Sequence, residues 1–90
     1  MLYEWNESKN QRNIRKHGVS FDDASTIFEH PTLTYFDPNA GYEEDRYIAV
    51  GLSGVRMLTV VFTERSGDTV RIISARRSSP SEEKRYERSY

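Results

Sequence analysis

Ninety residues, 36% hydrophobic and 30% charged, predict a single small domain over 1–90. No apolar run approaches the ~20 residues that cross a bilayer, no secretory h-region opens the chain, and no cysteine offers a disulfide or a thiolate, so a cytoplasmic protein without a membrane partner is expected. The net charge of -1 excludes a uniformly basic nucleic-acid binder, but not one whose cations are gathered on one side.

Leu2-Tyr3-Glu4-Trp5 predicts a short strand. Asn6 is a suitable N-cap for a helix from about Glu7 to His17, and Gly18 can take the left-handed position beyond its end. Ser20 caps a second predicted helix, Phe21 to about Glu29, with Phe21, Ala24, Ile27 and Phe28 on one face; Pro31 stops it. Leu33 to Phe36 predicts a further strand, and Asp37-Pro38-Asn39-Ala40-Gly41 is turn chemistry. Three strands follow, Arg46 to Leu52, Met57 to Glu64 and Thr69 to about Ala75. Gly54 and Ser66-Gly67 punctuate them, which predicts an antiparallel meander. Ser79 at the N-cap, Pro80 at N1 and Glu82 at N3 open a last helix. The predicted class is α+β: an antiparallel sheet of three to four strands plus the short N-terminal strand, two N-terminal helices and one C-terminal helix. Tyr3, Trp5, Phe21, Phe28, Tyr35, Phe36 and Phe62 are expected to pack in the core and on the sheet, and His30 to cap a helix end. Tyr42 is expected at the surface.

Charge is unevenly distributed along these elements. Asp22 to Asp45 holds seven acids and no Lys or Arg, so the remainder carries all 13 cations against 14 minus 7 acids, or +6. Such a split suits a phosphate-bearing ligand on one face and a basic partner on the other. The first predicted helix has Ile14 as its one large aliphatic residue, so no wide apolar stripe can hold it. Lys9, Asn13, Lys16 and His17 fall on one side of it by the i, i+3, i+4 rule. Arg71 and Arg76 form the second cluster. Strand alternation puts them on opposite faces unless a bulge or the strand end lies between them, and the strand is expected to finish near Ala75. The competing readings are ordinary: basic capping of a helix end, and surface pairing of the arginines with Glu64, Asp68, Glu82 or Glu83.

Trp5-Asn6-Glu7-Ser8-Lys9-Asn10, Asn13-Ile14-Arg15-Lys16-His17-Gly18-Val19-Ser20-Phe21, Ala24 and Phe28 resemble the first half of the BrnT toxins. Arg46-Tyr47, Gly51, the strand Leu58 to Thr63, Arg71-Ile72-Ile73-Ser74-Ala75-Arg76 and Tyr86 are similar to the second half, in order and over nearly the whole chain. The resemblance implies a RelE-like fold with helices against one side of the sheet. It further implies a translation-arresting ribonuclease acting on RNA, free or on the ribosome, and restrained by a BrnA-like ribbon-helix-helix antitoxin. Operator DNA would be bound through that antitoxin.

RNA carries its own nucleophile, the 2′-OH next to the scissile phosphate. Its cleavage needs a proton acceptor, cations for the charge that develops on phosphorus, and a donor to the leaving 5′-oxygen. Two histidines, no cysteine and no ligand spacing lead us to expect no metal and no cofactor. The candidate catalytic set is Lys16 or His17 for proton transfer, Arg46 and Arg76 as a phosphate clamp, and Tyr86 to position or protonate the reacting group. Lys9, Arg12 and Arg71 are candidate RNA-backbone contacts, and Glu64 is an alternative base. The segment Asp37 to Asp45 is the candidate antitoxin contact. The alternative function is a non-catalytic module that binds nucleic acid or protein and co-represses with its antitoxin.

Overall fold

Residues 1–38 and 45–90 are described by a computed structural model. The predicted turn residues Asn39, Ala40 and Gly41, together with Tyr42, Glu43 and Glu44 of the acidic segment, lie outside the described residues. The elements in chain order are β1 (Leu2–Glu4), α1 (Glu7–His17), α2 (Phe21–Ser25), a 3₁₀ turn (Thr26–Glu29), β2 (Leu33–Phe36), β3 (Tyr47–Ser53), β4 (Arg56–Arg65), β5 (Thr69–Arg77) and α3 (Pro80–Ser89).

Short-range chemistry sets most of the boundaries. The Asn6 side chain accepts from the Lys9 N–H at 3.0 Å and opens α1. Ser20 does the same for α2 through the Asp23 N–H at 3.0 Å. Ser79 and Glu82 form the reciprocal capping box of α3, with Pro80 in its first turn. The second predicted helix is α-helical only as far as Ser25. Thr26–Glu29 tighten into 3₁₀ geometry, and His30, in extended conformation, caps it by donating its N–H to the Ile27 carbonyl at 3.3 Å.

The described strands form one five-stranded sheet in the order β1-β5-β4-β3-β2. Strands β2 to β5 are antiparallel neighbours, as the meander requires, but β1 pairs with β5 in parallel, Leu2 opposite Thr69 and Glu4 opposite Arg71. The sheet is therefore mixed and has five strands rather than three or four. Strand β5 also outlasts its predicted end at Ala75, because Arg76 and Arg77 continue the ladder opposite Thr59 and Leu58.

Alternation divides the side chains between two faces. Ala49, Leu58, Val60, Phe62, Val70, Ile72 and Ala75 pack against Val19, Phe21, Ala24 and Ile27, which makes the core. Tyr3 stacks on Phe28, Trp5 meets Phe21 edge-on, and Phe28 meets Phe62, so these aromatics serve the core as expected. Phe36 packs on the sheet rather than in the core: on the edge strand β2 it meets Tyr47 edge-on and stays 53% exposed. Gly51 is buried where the 3₁₀ turn crosses β3. A Cβ there would sit 3.0 Å from Thr32 Cγ2 and 3.2 Å from Ile27 Cβ, so the close approach needs glycine.

The opposite face carries α3, not the bare surface implied by helices on one side only. Arg76 of β5 pairs with Glu82 of α3, the Arg85 guanidinium lies 5.0 Å above the Tyr35 ring, and the Tyr86 and Tyr90 hydroxyls donate to the Pro31 and Thr32 carbonyls. No α3 residue is fully buried, so polar contacts rather than an apolar stripe dock this helix. Among the described residues no helix is long and apolar enough to cross a membrane.

Candidate active site

Helix α1 buries no aliphatic side chain; its buried residues are Asn10 and Asn13, while Ile14 is 37% exposed. The two amides replace the missing stripe. Asn13 donates from Nδ2 to the Ala75 carbonyl at 2.7 Å and the Val19 carbonyl at 2.8 Å, and its Oδ1 accepts from the Ala75 N–H at 3.2 Å. Asn10 Oδ1 accepts from the Phe21 N–H at 2.8 Å, and its Nδ2 donates to the Glu7 carboxylate, holding that carboxyl below its usual range. Strand β1 pairs only with Thr69–Arg71, so the outer edge of β5 beyond Arg71 lacks a strand partner. Asn13 supplies both a donor and an acceptor there, as a neighbouring strand would.

This contact fixes where the cations go. Lys16 and His17 lie one turn beyond Asn13, at the end of β5 that carries Arg76 and Arg77. Gly18, at φ 70°, ends the helix and donates its N–H to the Ile14 carbonyl at 2.8 Å. Lys9, Arg12 and Lys16 are exposed on the flank of the asparagine row, and His17 is half-buried. Asn13 itself leaves the expected functional side of the helix, because its whole amide is engaged with backbone.

The pairing of β4 with β5 shifts between Val61 and Phe62, where Ser74 and then Ile72 are the partners and Ile73 is the extra residue. This bulge resolves the alternation problem, since it places Arg71 and Arg76 on the same face, the one that carries α3. Arg46 reaches that face too: it precedes Tyr47, whose partner is Phe62, so alternation sets it opposite Thr63, which in turn pairs with Arg71. Its Nε is buried.

The face is therefore a ladder of rows. Arg46, Thr63 and Arg71 form one, and Thr59 and Arg76 another, with Ile48, Val61 and Ser74 between. Arg46 and Arg76 stand about 13 Å apart along the strands, so as placed they do not form a single clamp. Arg46 shares a row with Arg71, whereas Arg76 pairs with Glu82 on the α3 face and the α1 terminus meets Arg56 on the other.

Several of the candidates already have protein partners. Arg76 donates from both terminal nitrogens to the Glu82 carboxylate, each at 2.8 Å, a bidentate geometry that also suits phosphate. Burial pushes the Glu82 carboxyl up, but Arg76 and the Ser79 N–H outweigh it and hold it at about 2. The same contact raises the Arg76 guanidinium further. Arg71 pairs with Glu4 at 2.6 Å, across a predicted strand whose parallel pairing sequence did not reveal, and Tyr86 donates to the Pro31 carbonyl at 3.1 Å. Glu64, the alternative base, is exposed and lines a cavity with Phe28, Phe62 and Val70, at the other end of β5 from Arg76. Sequence reasoning missed Asn10 and Asn13 as docking groups, although the absence of an apolar stripe on α1 was the signal for them. It also missed Arg56, which donates to the Asp23 carboxylate at 2.9 Å and contacts the Gly18 carbonyl.

Comparison with known proteins gives a consistent result. The family described as "Ribonuclease toxin, BrnT, of type II toxin-antitoxin system" matches residues 5–82. The 1.1 Å crystal structure of the Brucella abortus ribonuclease toxin BrnT superposes with a TM-score of 0.65 at 28% identity, covering 88% of this chain and 99% of that one. No curated protein matches. The chain belongs to the BrnT family of ribonuclease toxins of type II toxin–antitoxin systems.

Proposed function

We propose that the chain is an endoribonuclease that cuts RNA by metal-independent transesterification, on a fold read as RelE-like. His17, or Lys16 beside it, takes the 2′-OH proton. The 2′-oxygen then bonds to phosphorus as the P–O5′ bond breaks, leaving a 2′,3′-cyclic phosphate and a 5′-oxygen that takes its proton from solvent. Arg76 supports the charge developing on the phosphoryl oxygens, and Tyr86 orients the group that receives the proton. Lys9, Arg12, Arg46 and Arg71 hold neighbouring backbone. Membership in a type II system implies an antitoxin partner. We take it to be a BrnA-like ribbon-helix-helix protein that carries the operator contact, with both acting in the cytoplasm.

The observation that supports this reading is the Asn13–Ala75 contact, which ties the helix bearing Lys16 and His17 to the strand residue next to Arg76. Induction of the wild type is expected to arrest growth, and the purified protein to cleave RNA in the presence of EDTA. His17→Ala and Arg76→Ala should each lose cleavage; full activity in both rejects the site. A second reading, the non-catalytic co-repressor, draws on the pairing of Arg76 with Glu82 and of Arg71 with Glu4, which already neutralises two candidate phosphate contacts. A rate limb in the range where imidazole exchanges its proton marks the enzyme. Salt-dependent binding without cleavage marks the module.

A further inference from the structure

We propose that the groove between the start of β4 and the end of β5 is a second phosphate subsite, which takes the RNA phosphodiester adjacent to the one cleaved. The groove holds about 360 Å³ and is lined by Val55, Arg56, Met57, Arg77, Ser78 and Glu83. Arg77 pairs with Leu58 and Arg56 precedes Leu58 by two, so both arginines are on the core-bearing face, opposite to Arg76.

Their states differ. Arg56 is anchored to Asp23 at 2.9 Å and reaches the Gly18 carbonyl at 3.5 Å, which joins the groove to the α1 terminus directly after His17. The Arg77 guanidinium is exposed and has no acceptor among the described residues, whereas Arg56, Arg71 and Arg76 each pair with a carboxylate. A planar five-donor cation beside a polar groove suits a phosphate. The one acid lining the groove is Glu83, and Ser78 adds a hydroxyl shared with Thr59 at 2.8 Å. Val55 is wholly exposed at the hairpin tip and, with Met57, offers an apolar seat for a sugar or a base.

The path follows from strand geometry. Arg76 and Arg77 are consecutive and project to opposite faces, so a polyanion lying across the end of β5 meets both, while one lying along either face meets a single arginine. The cleaved phosphate at Arg76 and its neighbour at Arg77 would then straddle the strand end. This deepens the nuclease reading and rests on it for the identity of the ligand.

Two arms test it. In the first, a fluorescent single-stranded 2′-O-methyl RNA, which lacks the nucleophile, is titrated by anisotropy over a salt series with wild type and Arg77→Gln. Loss of one phosphate contact is expected to lower the log–log salt slope by about 0.7 and to weaken binding about fivefold at 0.1 M salt. In the second, cleavage of an unmodified RNA by Arg77→Gln should show a raised KM with kcat retained. An unchanged slope and affinity, in a variant that melts like wild type, overturns the subsite even if His17→Ala abolishes cleavage. Conversely, absence of cleavage by wild type defeats the nuclease reading, while the binding arm still decides whether Arg77 contacts phosphate.

Discussion

The inner row and the outer flank of α1 are both polar, yet they do opposite work. On the inner row Asn10 and Asn13 are 7% and 8% exposed, and their side chains replace an apolar stripe with directional hydrogen bonds to Phe21, Val19 and Ala75. On the flank the side chains of Lys9, Arg12 and Lys16 are exposed and make no hydrogen bond or ion pair among the described residues. Apolar docking tolerates sliding, whereas an amide bound to one residue's N–H and carbonyl fixes a helix to one register. The inner row therefore sets which part of β5 the cations face, and the flank supplies the cations.

That division can be broken by substitution. The largest expected effect is on rate: Lys16→Ala or His17→Ala, whichever removes the proton acceptor, should reduce cleavage by about 10²–10⁴-fold. Lys16→Ala should leave stability within about 0.5 kcal/mol in urea titrations, as befits an exposed position. Next comes Asn13→Ala, which leaves the Ala75 N–H and two carbonyls without side-chain partners; a loss of about 3 kcal/mol is expected. In a domain of this size it should appear as a fall in Tm of more than 10 °C. An Asn13→Ala protein as stable as wild type would show that something other than the amide holds α1.

Smaller effects sharpen the picture. Gly18→Ala meets no neighbour within 4 Å, but must adopt φ 70°, so a cost of about 1 kcal/mol from backbone strain alone is expected in thermal melts. The smallest concerns Glu82. Its carboxyl is depressed to about 2 from 4.5, so its contribution is complete above the ordinary carboxylate range and fades as pH falls through that window. Glu82→Gln should flatten this part of the acid limb of stability, and an identical acid limb would remove the Arg76 contact from the account.

Sequence revealed the elements because their signals are local. Asn6, Gly18, Ser20 and the Ser79–Glu82 box each act within a few residues, and all four appear as read. What it concealed was long-range or collective. Asn13 and Ala75 are 62 positions apart, and the parallel pairing of β1 joins Leu2–Glu4 to Thr69–Arg71. The bulge at Ile73 is a property of two strands in register, so sequence could state the condition for Arg71 and Arg76 to share a face but not that it is met. The same holds for the site: the cations were identifiable one by one, but their grouping depended on register. Arg46 therefore stands with Arg71 rather than Arg76, and Arg77 went unnoticed because the strand was expected to end before it.

The claim that carries the rest is that the end of α1 and the end of β5 act on one phosphodiester. A double-mutant cycle in RNA cleavage tests it most directly, with kcat/KM measured for wild type, His17→Ala, Arg76→Ala and the double variant. Groups that serve one transition state are strongly non-additive, so the double variant should be little slower than the worse single one. Losses that multiply, or cleavage that survives both changes, would contradict it.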